Sequence, residues 1–174
     1  MQPNYRASKG SDVAEEKIDP IILQGSNTVV RVDGYWTRIY AGDFLSAAKD
    51  FKHPANRFSP IPYYLICHSI ELSLKAFLFT VGFKRADRKR LNHDLEKALE
   101  AAENNGLSLH IQLTDEEREL IIKANRLCPK KEFEYFESLE AIYDPHDFDL
   151  DSLASLARKL FERIEVPVTG SIFE

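Results

Sequence analysis

Apolar residues recur at helical spacing along most of this chain, and the pattern predicts an all-α protein. A first helix is expected over about 35–51, where aromatic and aliphatic residues return every three or four positions. A second covers Ile61–Val81, with Ser59 as its N-cap, Pro60 in its first turn and Gly82 as its left-handed C′ residue. The chain shows no alternation of strand and helix patterns, which argues against an α/β fold.

Further helices are predicted from the same spacing, each between a polar cap and a breaker. One runs from Asn92 or His93 to Asn104-Asn105-Gly106. The next runs from Thr114 to Pro129, and the last from Asp151 to Val166-Pro167. Thr114 and Glu117 have the spacing of a capping box. The acidic, aromatic segment 132–151 is irregular, and one short helix around 136–143 fits it. Four to five helices with short connections predict an antiparallel up-and-down bundle.

We divide the chain into three parts from this pattern. Residues 1–34 are expected to form an irregular N-terminal arm, partly disordered or with short extended segments. Residues 35–166 are expected to form the helical bundle, and residues 167–174 a C-terminal tail.

Composition narrows the class of protein only slightly. The net charge of −5 gives no global argument for a nucleic-acid or membrane partner. Cys67 and Cys128 lack metal-type spacing and are interpreted as thiols of a reducing cytosol. Met1–Gly25 shows no secretory signal, and Glu71 and Lys75 near the middle of the apolar stretch argue against a membrane span. We expect a cytoplasmic protein without a membrane partner.

Three polar residues interrupt the apolar second helix. His68, Glu71 and Lys75 are spaced i, i+3 and i+7, so a helix aligns them on one stripe. Glu71 and Lys75 have the favourable orientation for a helical ion pair. One interpretation is a site in which the carboxylate orients a histidine or a lysine. The other is a partly buried polar stripe that fixes how the helices align.

A run of cations follows that helix and is interrupted by one acid. The predicted anion- or nucleic-acid-binding loop consists of Lys84, Arg85, Arg88, Lys89 and Arg90. It precedes a helix N-terminus, where unpaired backbone N–H groups and the helix dipole favour an anion. The alternative is a solvated loop whose charges balance the acidic segment 132–151.

The residues after that run have both a structural and a chemical interpretation. Asn92 could cap the next helix, and Asp94 would complement its dipole. His93 could be a hydrogen-bonded histidine of the cap or a general acid or base beside a phosphodiester. The histidines lack paired zinc spacing, and phosphate-binding and dinucleotide-binding motifs are missing. The sequence therefore predicts neither a metal site nor a cofactor.

These residues carry a resemblance to a known family. His68, Glu71-Leu72, Lys75 and Leu78 fit H-x-x-E-L-x-x-K-x-x-L, and Asn92-His93-Asp94-Leu95 follows after the basic segment. The chain resembles the HEPN superfamily of small helical-bundle domains, in the branch whose second motif is G-H-D-L. Asn92 replaces the usual glycine. The resemblance covers about 35–164 in layout and carries motifs over 64–99.

The resemblance implies a bundle that often forms a homodimer. Many relatives are ribonucleases of toxin–antitoxin, abortive-infection or CRISPR-linked defence, and others are non-catalytic nucleotide- or RNA-binding modules. Their nuclease motif is R-x(4–6)-H, and Arg88 with His93 fits its shortest form. Lys89 stands where asparagine is common. A nucleotidyltransferase-like protein is an implied partner.

Two functional hypotheses follow. We favour a nucleotide- or RNA-binding or assembly module of a prokaryotic defence or stress system. In that module a polar network joins the helices and consists of His68, Glu71, Lys75, His93 and Asp94. The alternative is a metal-independent, toxin-like endoribonuclease in which His93 moves a proton and Arg88 stabilises the phosphorane.

Overall fold

The computed structural model describes residues 33–125 and 149–166, and within them the protein is helical. The six α-helices of these residues are α1 (Gly34–Asp50), α2 (Ile61–Thr80), α3 (Arg85–Leu91), α4 (Leu95–Asn104), α5 (Asp115–Asn125) and α6 (Leu150–Arg163). A 3₁₀ turn, Leu107–Leu109, follows α4, and the described residues contain no strand. The all-α prediction is confirmed. None of the helices within the described ranges is long and apolar enough to cross a bilayer.

Helix α2 is the central element of the described core. It packs against α1, α4 and α6, so its apolar residues meet a neighbour on most sides. Its fully buried large side chains are Ile66, Ile70, Leu74, Phe77 and Leu78. Burying one such side chain stabilises the fold by about 1.5–3 kcal/mol, so this helix anchors the domain.

The sequence prediction is confirmed at the C-terminal end of α2 and was wrong at its N-terminal end. At the C-terminus Gly82 has φ 82°, and the Phe83 N–H donates to the Leu78 carbonyl at 2.9 Å, which confirms the predicted left-handed cap. At the N-terminus the prediction was wrong, because Pro60 is the N-cap residue. The hydroxyl of Ser59 is buried and has no hydrogen-bond partner among the described residues.

The basic segment and the start of the next helix also differ from the prediction. Most of the expected loop is helix α3. Asn92 is the C-cap residue of α3 rather than the N-cap of α4, and its φ of 50° and ψ of −131° form a conformation that glycine adopts most readily. The N-cap of α4 is Asp94, which accepts a hydrogen bond from the Lys97 N–H at 3.0 Å.

Caps also define α5 and α6. The predicted capping box is confirmed, since the Thr114 N–H donates to Glu117 at 2.8 Å and the Glu117 N–H donates to Thr114 at 3.2 Å. Asp151 is not the N-cap of α6, because Asp149 accepts from the N–H groups of Asp151 and Ser152.

Some sequence predictions lie outside the described residues. These are the arm before residue 33, the C-terminal tail, Cys128, Pro129 and the helix at 136–143.

Helix α1 is tied to the end of α6 by one arginine. Arg38 donates to the carbonyls of Ile164 at 2.8 Å and Phe161 at 2.9 Å, and its guanidinium lies over the Phe161 ring. These carbonyls belong to the last turn of α6 and the residue after it, where intrahelical donors run out. A cation there also complements the helix dipole.

Candidate functional site

Glu71 lies in the middle of α2 and is almost completely buried, with 4% of the residue exposed. A carboxylate in such a place must be paired, because an isolated buried charge is very costly. Its partners come from its own helix and from the connection between α3 and α4. We call Glu71 and these partners, His68, Lys75 and His93, the Glu71 cluster.

The two oxygens of Glu71 have different partners. Lys75, one turn further along α2, donates to Oε1, which is the predicted ion pair. Oε2 lies 3.3 Å from Nδ1 of His68 and 3.2 Å from Nδ1 of His93. A carboxylate oxygen only accepts, so each ring that bonds to it carries a proton on Nδ1.

These contacts keep the carboxylate ionised. Burial raises the pKa of Glu71, but the hydrogen bond from His68 and the charge and hydrogen bond of Lys75 outweigh burial and lower the pKa to about 2. The Glu71 carboxyl is therefore ionised at neutral pH. A buried, permanently charged carboxylate can orient the imidazoles that bond to it.

The two histidines are held to different degrees. His68 lies between two aromatic rings: Phe44 of α1 meets it edge-on at 4.4 Å between ring centres, and Tyr64 stacks on it with an interplanar angle of 8°. His93 is more accessible, with 42% of its side chain exposed. The ring centres of the two histidines are 6.4 Å apart. A ligand from solvent can therefore reach His93 beside a fixed second imidazole.

Lys75 connects the helix to the basic segment. Besides Glu71, its ammonium donates to the backbone carbonyl of Asn92 at 2.6 Å. Asn92 ends α3, and His93 follows it. The cluster is therefore adjacent to the end of the basic helix, and His68, Glu71, Lys75 and His93 come together as the proposed network requires.

Asp94, the fifth residue of that network, has its described contacts elsewhere. Its carboxylate accepts from the Lys97 and Asn125 side chains, and Asn125 also accepts from the Leu95 N–H at 2.7 Å. Burial raises the pKa of Asp94, and the hydrogen bonds from Lys97 and Asn125 more than reverse this and lower it. Protein side chains therefore occupy N–H groups of the α4 terminus that we expected to bind an anion.

The cations of the basic segment lie on and beside α3. Lys84, Lys89 and Arg90 are exposed, and Arg90 forms a long ion pair with Asp87, at 3.7 Å. Arg88 donates to the Phe83 carbonyl and lies 3.2 Å from the centre of the Phe79 ring. Arg85 begins the helix. The exposed cations form a positive surface next to the Glu71 cluster, whereas Arg88 packs against the end of α2.

Asn125, Phe44 and Tyr64 contact the site but were not predicted from the sequence. Asn125 caps α4 from α5, thirty positions away from Leu95 along the chain. Phe44 positions His68 from α1. Neither contact leaves a signal in local spacing, because each joins two helices. Tyr64, by contrast, lies four positions before His68 on α2, and i, i+4 spacing could have indicated the stacking.

The chain matches no protein-family model, no curated protein and no solved structure.

Proposed function

We propose that this protein is a HEPN-like RNA-binding module that contacts the RNA backbone with the exposed cations of α3 and with the adjacent Glu71 cluster. The observation that supports this most directly is the continuity of the two features. The backbone carbonyl of Asn92, the C-cap residue of α3, accepts a hydrogen bond from Lys75. The next residue, His93, bonds to Glu71.

The exposed cations of α3 are suited to binding a polyanion. Lys84, Lys89 and Arg90 are all exposed within one short segment, although the whole protein is acidic, at −5. Phosphate contacts need exposed lysines and arginines, and their binding energy comes from the release of counterions. In single-stranded RNA, bases that stack on exposed protein rings add to this binding energy. His93 is a partly exposed ring beside these cations.

Binding of a labelled single-stranded RNA, measured by fluorescence anisotropy in chelator at several salt concentrations, tests the proposal. Replacing Lys84, Lys89 and Arg90 together by alanine should weaken binding and lower the slope of log K against log salt by about 2. A matched control replaces three exposed cations near the junction of α1 and α2: Lys49 in the last turn of α1, and Lys52 and Arg57 in the connection. They lie at the opposite end of α2, about 30 Å from α3 for a helix of 20 residues.

The outcomes separate binding from assembly. Equal affinity of the two triple variants would overturn the assignment of the RNA surface to α3. If wild type binds no RNA and sediments as a tight homodimer, the protein is an assembly module instead. The homodimer is part of the proposal and rests on the family resemblance.

One contact favours a second candidate function, a metal-independent endoribonuclease. Because Nδ1 of His93 donates to Glu71, a neutral His93 ring has its acceptor lone pair on Nε2. Such a nitrogen can remove the proton of a ribose 2′-hydroxyl, whose oxygen then attacks the adjacent phosphorus and displaces the 5′-oxygen as a cyclic phosphate forms. The leaving 5′-oxygen needs a proton, and the ring of His68, 6.4 Å away, is the second imidazole of the site.

The nuclease candidate also assigns a task to Arg88. Its guanidinium would stabilise the phosphorane, for which it must exchange the Phe83 carbonyl for a phosphate oxygen. Total RNA in chelator should be cleaved by wild type and by His53→Ala, an exposed histidine after α1. Cleavage should fall strongly in His93→Ala and Arg88→Ala. Equal cleavage by all four proteins would dismiss the nuclease.

A further inference from the structure

Three residues of the Glu71 cluster offer ligand atoms that converge. One atom each from His68, Glu71 and His93 lies within 4.8 Å of the other two. His68 and Glu71 are one turn apart on α2, so their side chains share one face of the helix. His93 enters from the connection between α3 and α4, which closes the group from a second direction.

The distances suit a metal ion. Both Nδ1 atoms lie near the same carboxylate oxygen, at 3.3 Å for His68 and 3.2 Å for His93. Ligands bound to zinc at 2.0–2.1 Å in a tetrahedron are separated from one another by about 3.4 Å. These two separations are therefore close to the edges of a zinc coordination tetrahedron, and the ligand atoms of the two histidines lie within 4.8 Å of each other.

We propose that His68, Glu71 and His93 bind a divalent transition-metal ion, best Zn²⁺, with two imidazole nitrogens, one carboxylate oxygen and a fourth position open to solvent. Zinc sites with three protein ligands and an open position are those that act on bound water or substrate. This inference goes beyond the RNA-binding proposal, which needs no metal, and it does not depend on that proposal.

The surroundings organise the ligands before an ion arrives. Phe44 and Tyr64 fix the His68 ring, and Lys75 holds Oε1 of Glu71 so that Oε2 faces the histidines. Such outer contacts fix the orientation of metal ligands. When the ion binds, each neutral ring moves its proton from Nδ1 to Nε2, which leaves both Nδ1 lone pairs for the metal.

Titration of the chelator-treated protein with zinc chloride in a calorimeter tests the proposal. Wild type and His53→Ala should bind one ion per chain, and His93→Ala should bind it more than about tenfold more weakly, since even outer contacts of metal ligands have effects of that size. His53 is exposed and lies outside the cluster, so it controls for nonspecific imidazole binding. The proposal is overturned if wild type shows no saturable one-to-one binding, or if both variants bind as wild type does.

Cobalt provides a second measurement that does not depend on affinity alone. Wild type loaded with Co²⁺ should show the intense visible absorption of a four-coordinate ion, and His93→Ala and His68→Ala should lose it. Circular dichroism confirms that each variant is folded. Absorption typical of hexa-aqua cobalt in wild type would also overturn the site. Since RNA binding is measured in chelator, the two proposals can fail separately.

Discussion

Nδ1 of His93 lies 3.2 Å from Oε2 of Glu71, although 22 positions separate the two residues in the chain. This contact joins the two motifs on which the family resemblance rests. It also explains why an acidic residue is tolerated at the centre of an apolar helix: Glu71 has cationic or donor partners on both oxygens. The cluster therefore depends on a single carboxylate.

Replacement of Glu71 by alanine should be strongly destabilising. The change leaves Lys75, whose side chain is 17% exposed, without its carboxylate partner. Breaking a buried ion pair from one side costs about 3–5 kcal/mol. Urea unfolding in chelator should show this loss, whereas Glu119→Ala, at an exposed position of α5, should change stability by less than about 0.5 kcal/mol. A similar loss in both variants would mean that the cluster does not stabilise the fold.

The contribution of Glu71 to stability should depend on pH in acid. Its folded-state pKa is about 2, against an ordinary value of 4.5, so its contribution is complete above about pH 4.5 and is lost as the pH falls towards 2. The full shift corresponds to roughly 3 kcal/mol. The difference in unfolding free energy between wild type and Glu71→Gln, in chelator, should be constant from pH 7 to 5 and shrink below 4.5. A constant difference down to pH 3 would contradict the lowered pKa.

The local features of α2 could be predicted from the sequence. Helical spacing places His68, Glu71 and Lys75 on one stripe, and the left-handed Gly82 fixes where the helix ends. These follow from interactions within one or two turns, which sequence spacing encodes directly. The helix α3 could not be predicted in this way, because its seven residues include only Ala86 and Leu91 as apolar positions.

The sequence hypothesis placed His93 in one network with Glu71, but local patterns could not predict the backbone and packing that bring the helices together. The approach of His93 to Glu71 depends on the positive φ of Asn92 and on the Lys75 hydrogen bond to its carbonyl. The cap of α4 by Asn125 depends on how α5 returns to α4. Asn92 and Asn125 are polar and belong to no periodic pattern, so only the packed structure identifies their roles.

Arg38 should stabilise the junction between α1 and α6 through the geometry of its guanidinium. Its Nε and one terminal nitrogen reach two different carbonyls, which the single ammonium of lysine cannot reproduce. Arg38→Lys should lower the unfolding free energy by about 1.5–3 kcal/mol, the range for hydrogen bonds that involve a charged group. Arg163→Lys, at an exposed position in the last turn of α6, serves as the matched control. Equal stability of the two variants would show that the carbonyl contacts contribute little.

Two exposed aspartates at the start of α6 provide a direct test of which one caps the helix. Asp149 accepts from the N–H groups of Asp151 and Ser152, at 3.0 and 3.3 Å, while Asp151 lies inside the first turn. Asp149→Ala should therefore lower the melting temperature more than Asp151→Ala, because alanine cannot accept the capping hydrogen bonds. Asp149→Asn should retain most of the stability, since the amide oxygen also accepts them. If Asp151→Ala is the more damaging change, the helix begins two residues later, as the spacing of the sequence alone suggested.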